Sequence, residues 1–227
     1  MTLRAQFALP RLAVLLVILA GTGANAQDSA TASSDPPAGH YRLDPAHSRL
    51  IFSLNHLGFS EYTALFKSFS ASLDFDPAAP EKMTLMAQVD PASIETFYPD
   101  PKVDFNAALS GPQFLDTARF PAMTFNSTRI QLTSGHEAAV TGDLTLHGVT
   151  HPVTLRVRYN GGYAGNPLDP GGARIGFSAE GALFRSEFGM GFGIPAPDTT
   201  MGVGDLVAFR IEAEFINPDA PGVQVGP

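Results

Sequence analysis

The chain has 227 residues with neither Cys nor Trp, and a formal charge of −8. Zero Cys excludes disulfides and thiolate metal sites, so the fold must rest on core burial alone. The acidic balance argues against nucleic acid, and against an anionic membrane surface, as a partner.

Arg4 and Arg11 supply a positive start, and 12–20 (LAVLLVILA) is an uninterrupted apolar run. Ala24-Asn25-Ala26 then reads as a signal-peptidase site, which predicts cleavage after Ala26 and an exported chain beginning at Gln27. The run is shorter than the roughly 20 residues a permanent spanning helix needs, so residues 1–26 read as a signal peptide. Its loss leaves 12 basic against 22 acidic residues, a charge of −10. Residues 27–38 are small, polar and Pro-bearing; they read as a flexible linker with nothing to bury.

The dominant signal from there to residue 217 is alternation with period two, the mark of half-buried strands. Leu50, Phe52 and Leu54 share one face. Leu65, Phe69, Leu73 and Phe75 form a rougher series interrupted at Lys67. Met83, Leu85, Ala87 and Val89 alternate with Lys82, Thr84, Gln88 and Asp90. A short helix is predicted over Val103 to Leu109, capped by Asp100 with Pro101 at its first position and ended by Gly111-Pro112. Met123 to Leu132 is a further strand of weaker alternation. Val140, Gly142, Leu144 and Leu146 come next, and His147-Gly148-Val149-Thr150 reads as the hairpin leading to Val153, Leu155 and Val157. Ile175, Phe177, Ala179, Gly181 and Leu183 form a seventh series. Val207, Phe209, Ile211, Ala213 and Phe215, opposed by Arg210, Glu212 and Glu214, form an eighth. Two Gly- and Pro-rich loops, 160–172 and 191–204, are long enough to be binding loops. The tail 218–227 reads as loose.

Eight one-sided strands predict an all-β fold in which an antiparallel sheet closes over its dry face. A sandwich and a barrel both do this; barrel closure also removes exposed edges. A membrane barrel is disfavoured. Arg156, Arg158, Arg210, Glu212 and Glu214 would face lipid, and a basic residue at mid-bilayer costs about 2–4 kcal/mol.

Chemistry-bearing constellations are sparse. His47, His56, His147 and His151 lie near strand ends with Asp44, but without metal-binding helical spacing, so hydrogen-bonding roles are expected and no metal site. Nucleophile motifs are absent. Glycines 189–193 (GMGFG) lack the strand-to-helix setting that cradles phosphate. No catalytic residue is assigned, and the chain is expected not to be an enzyme. Arg185 continues the inward series from Ile175. A buried guanidinium needs a partner, either a ligand head group or an internal carboxylate such as Asp44 or Glu187; the alternative is a bulge that turns it outward. The small inward residues Ala71, Ala87, Gly142, Ala179, Gly181 and Ala213 either leave space for a ligand or accommodate neighbouring aromatics.

Several segments resemble one known family. Tyr41-Arg-Leu-Asp44-Pro-Ala-His47-Ser48 with Phe52 and His56 is similar to the opening motif of the YceI-like polyisoprenoid-binding proteins. Phe120-Pro121 with residues 124–128 (TFNST), residues 140–150 (VTGDLTLHGVT), Arg185 with Phe188-Gly189-Met190, and Val203-Gly204-Asp205 follow in the family's order. Members often carry Gly where this chain has Ala64. The resemblance covers residues 39–217 and implies an eight-stranded antiparallel, lipocalin-like barrel with a short helix between strands. It further implies a periplasmic location and a long isoprenoid, quinone-like or other amphiphilic lipid in the lumen, with no other cofactor. The residues expected to line that lumen are Phe52, Leu54, Leu65, Phe69, Leu85, Leu144, Leu155, Phe177, Leu183, Arg185, Phe209 and Ile211. The alternative is a stress-related interaction protein with a packed barrel and no lipid. Permanent membrane insertion is not expected, and the oligomeric state, a homodimer among the options, stays open.

Overall fold

The computed structural model describes residues 35–166 and 171–220. The predicted signal peptide, most of the linker and residues 221–227 of the tail lie outside the described residues. In chain order the elements are β1 (Gly39–Leu43), β2 (Arg49–His56), β3 (Ser60–Phe66), β4 (Phe69–Phe75), β5 (Thr84–Val89), β6 (Ile94–Glu95) and α1 (Phe105–Ser110). They continue with β7 (Met123–Ser134), β8 (Glu137–Leu146), β9 (Val149–Tyr163), β10 (Ala173–Phe184) and β11 (Val203–Asn217).

The circuit β1-β4-β5-β7-β8-β9-β10-β11 returns to β1 and closes an eight-stranded barrel. All of its ladders are antiparallel. The eight predicted strands are all present, and three of them are broken into two segments at one level. β1 and β2 both pair with β11, interrupted by the corner Asp44–Ser48. β3 and β4 face them, interrupted at Lys67-Ser68. β6 and β5 come next, interrupted by a 3₁₀ turn at Pro91–Ser93. The breaks are stitched to each other: Lys67 N–H donates to Ser93 O (3.1 Å) and Asp90 N–H to Ser68 O (3.0 Å). Such irregularities bend strands and re-aim side chains. Below them β1, β4 and β5 belong to the closed circuit. Above them β2, β3 and β6 continue from β11 as a separate flap, and β6 pairs only with β3 among the described residues.

The β8–β9 hairpin has a two-residue turn, His147-Gly148, with φ of 52° and 76°. Positive φ at both positions is the turn geometry that matches strand twist. Gly148 is needed twice over, because a Cβ there would sit 2.4 Å from the Phe120 ring. Outside the barrel, Thr141 meets Thr154 and Thr145 meets Thr150 at 2.8 Å, and Arg156 pairs with Glu180 across neighbouring strands.

Four expectations need correction. The helix starts at Phe105, and its cap is Asp104, which accepts from Ala107 N–H (2.9 Å). Asp100 instead accepts from Lys102 N–H (3.0 Å), closing a tight turn that ends before the helix begins. β1 was not among the predicted strands, since five residues with two large inward side chains carry too little period to read. Pro36, in the predicted linker, is buried and lines the interior. Ala220, in the predicted tail, is buried in the core beside Phe215. Among the described residues no helix is long and apolar enough to cross a membrane.

Candidate functional site

The barrel encloses a cavity of about 1140 Å³ whose walls are almost wholly apolar. That exceeds the roughly 300–1,000 Å³ of ordinary small-molecule sites. Its length follows from the strands: the twelve residues of β10 span about 40 Å, or about 30 Å along the axis at a barrel's usual tilt.

Eleven of the twelve predicted lining residues are on this wall: Phe52 and Leu54 from β2, Phe69 from β4, Leu85 from β5 and Leu144 from β8. Leu155 from β9, Phe177 and Leu183 from β10, Phe209 and Ile211 from β11, and Arg185 complete them. Leu65 is a correction. Tyr62, Ala64 and Phe66 are the inward residues of β3, which turns Leu65 outward into a shallow groove with Arg49 and Lys67. The break at Lys67-Ser68 resets parity, so one alternation cannot be carried from Leu65 to Phe69. The two kinds of small inward residue separate as well. A Cβ on Gly142 would lie 2.4 Å from the Phe125 ring and one on Gly181 2.5 Å from the Phe209 ring, so these glycines seat aromatics. Ala71, Ala87, Ala179 and Ala213 instead line the lumen and leave it wide.

The two ends differ. At the β1 end, Tyr41, Leu43, Leu73, Phe75, Ile175 and Phe215 pack into a cluster. Tyr41 is fully buried, its ring edge-on to Phe75, and burial pushes its phenol up to about 12. The mouth beside that cluster carries Asp35, His136, Glu137 and Tyr159. At the other end the lining runs through His56, Tyr62, Tyr98, Phe105, Phe114 and Met190. Tyr98 and Tyr62 both pack on Phe105, at 5.1 and 6.2 Å. Alternation gave no signal for Tyr98, Phe114 or Met190, which lie in loops without period.

Arg185 is buried, 6% exposed, and points inward as its parity predicts. Neither predicted carboxylate is its partner. Nε donates to Gly204 O (3.0 Å), Nη1 to Met190 O (2.6 Å) and Phe192 O (2.8 Å), and Nη2 to Val203 O (2.8 Å). Four carbonyls thus hold the guanidinium, which ties down both ends of the 191–202 loop. Burial lowers its pKa from the usual arginine value.

Asp44 pairs with Arg174 instead, at 2.6 Å, and accepts from His47 Nδ1 at 2.8 Å. Arg174 also reaches Glu214 (3.5 Å). The ligand atoms of Asp44, His47 and Glu214 lie within 4.8 Å of one another, but Arg174 already supplies positive charge among them. The Arg174 guanidinium, with the His47 hydrogen bond, holds the Asp44 carboxyl down to about 2, and Asp44 in turn raises His47. The other histidines do not join this group. His147 donates to Phe188 O (3.0 Å) and His151 to Glu187 O (3.1 Å), bracing the 3₁₀ turn Arg185–Phe188.

A closed eight-stranded barrel around an apolar lumen defines a class of small barrels that enclose a ligand-sized cavity. Within that class the chain belongs to the YceI-like domain family, whose model matches residues 41–215. It is 35% identical over 161 residues to a UPF0312 protein of Pseudomonas savastanoi pv. phaseolicola, covering 70% of this chain and 78% of that one. Among solved structures it is similar to Burkholderia cenocepacia BcnA, with TM-score 0.64 and 27% identity over 76% of this chain and 98% of the other. A polyisoprenoid binding domain from Saccharophagus degradans shares the fold, with TM-score 0.53 and 15% identity over 80% of this chain and 100% of that domain.

Proposed function

We propose that the chain binds a long-chain isoprenoid or similar amphiphilic lipid in the barrel lumen and sequesters or carries it through the periplasm, without catalysis. The observation that carries this reading is the continuous apolar cavity of about 1140 Å³. Its few polar groups, among them His56, Tyr62, His136 and Glu137, sit at the ends, where an amphiphile's head would be hydrated. Each buried methylene contributes about 0.8 kcal/mol, so a long hydrocarbon chain gains enough to offset its own ordering. The sequence of residues 1–26 supports export with cleavage after Ala26.

Native mass spectrometry of protein purified without detergent tests it. The expected result is a co-purifying lipid that solvent extraction releases and an added isoprenoid alcohol replaces. Repeated absence of any bound or exchangeable lipid overturns it.

A further inference from the structure

The exposed apolar side chains are unevenly placed. Phe59 (82% exposed) forms the β2–β3 turn, and Met201 (68%) and Phe192 (51%) belong to the 191–202 loop. These segments touch: Leu57 N–H donates to Gly202 O (2.8 Å), and Gly58 lies against Thr200. Phe192 packs edge-on against Phe114, a lumen residue, at 5.3 Å, and half-exposed Tyr98 also lines the lumen. The apolar rim is therefore continuous with the apolar wall. At the opposite mouth only Leu132 is comparably exposed among the described residues, amid Asp35, His136 and Glu137.

Charge narrows the partner. The turn 57–59 carries no charged residue, and the loop 191–202 carries only Asp198. With no Lys or Arg on these two segments, and a net charge of −8 for the chain, they offer anionic head groups nothing to pair with. What remains is insertion of apolar side chains, large exposed aromatics and Met being suited to a boundary with one wet and one dry side.

We propose that this rim docks onto a neutral, zwitterionic lipid bilayer surface, with Phe59, Phe192 and Met201 entering among the head groups so that the lumen opens against the membrane. The proposal rests on the lumen-binding reading for its purpose, not for its geometry. Arg185 is the positioning residue of the surface, because its four carbonyl bonds fix the loop that bears Phe192 and Met201.

The test is flotation of the mature protein with phosphatidylcholine vesicles, together with the double variant Phe59→Ser/Met201→Ser and the control Met86→Ser. Met86 is exposed on the outside of β5, away from the rim. Wild type and Met86→Ser are expected to float equally and independently of salt, and the double variant about tenfold less or weaker still. Unchanged flotation of the double variant, failure of wild type to float, or a requirement for anionic lipid overturns the proposal. So does a rim-dependent dimer in sedimentation without flotation, which would make a second copy the occupant. Lipid content by native mass spectrometry separates the two readings. A lipid-loaded protein that ignores vesicles refutes the rim alone. A lipid-free protein that floats through Phe59 and Met201 refutes the lumen reading alone.

Discussion

Arg174 Nη1 and Asp44 Oδ2 meet at 2.6 Å across 130 residues of sequence, fastening the corner between β1 and β2 to β10. Both side chains are largely buried. Removing Asp44 takes away the closest partner of Arg174 and leaves it the longer contact to Glu214 at 3.5 Å, so the cost falls below the roughly 3–5 kcal/mol of a buried pair broken outright. Asp44→Asn is therefore expected to lower the urea midpoint. The folded-state pKa of Asp44, about 2, lies below its unfolded value, so its contribution is present above the unfolded value and is lost as pH falls toward about 2. His47 has the opposite sign: its raised pKa contributes in full below the unfolded value and fades as pH rises through the folded one. Thermal melts across pH should show the acid limb shallower in Asp44→Asn than in wild type.

Arg185 predicts a graded series. Arg185→Met leaves four carbonyls without their donor, and an unmade buried hydrogen bond costs about 1–3 kcal/mol, so a total loss of at least about 3 kcal/mol is expected. Arg185→Lys keeps the charge but not the planar fork and should fall between. Hydrogen exchange should quicken in residues 191–204 in both, and first there.

Facing predicts which substitutions the ligand notices. Phe177→Asp puts a charge on the lumen wall and removes ring contacts to Tyr159 and Phe215, each worth about 0.5–1.5 kcal/mol beyond the area buried. Folding should survive while bound lipid is lost. Leu65→Ser, on the outer face, should leave lipid load unchanged. Native mass spectrometry beside a thermal melt reads both.

Gly148→Ala forces a side chain into positive φ and a Cβ to 2.4 Å from Phe120. Left-handed backbone alone costs an L residue about 1–2 kcal/mol, and the clash adds to it. A fall in Tm without change in lipid identity is expected.

The sequence made the wall legible because a half-buried strand writes its facing in every second residue. Phe209 and Ile211 opposite Arg210 leave no ambiguity, and Arg185 inherited its inward direction from the same count. What it faced was not legible, since the carbonyls of Met190, Phe192, Val203 and Gly204 carry no side-chain signature. Leu65 misled for a related reason: the extra residue at Lys67-Ser68 changes parity, and the ladders of β4 to β1 and β5 show where the count restarts. Gly142 and Ala87 looked alike in composition, yet one seats a ring and the other borders open space. That difference depends on neighbours brought by other strands.

The flap of β2, β3 and β6 gives the two rims different mechanics. The β1 rim is a hoop, fixed in girth by backbone hydrogen bonds all the way round. The opposite rim is a horseshoe: beyond β6 it continues into α1, held through Thr96 and Glu95 to Asn106 at 2.7–3.1 Å and through the tilted rings of Tyr98 and Phe105. Widening it breaks side-chain contacts and no ladder. The two ends of one barrel therefore owe their shape to different bonds, the hoop to its ladders and the horseshoe to the side chains of one short helix.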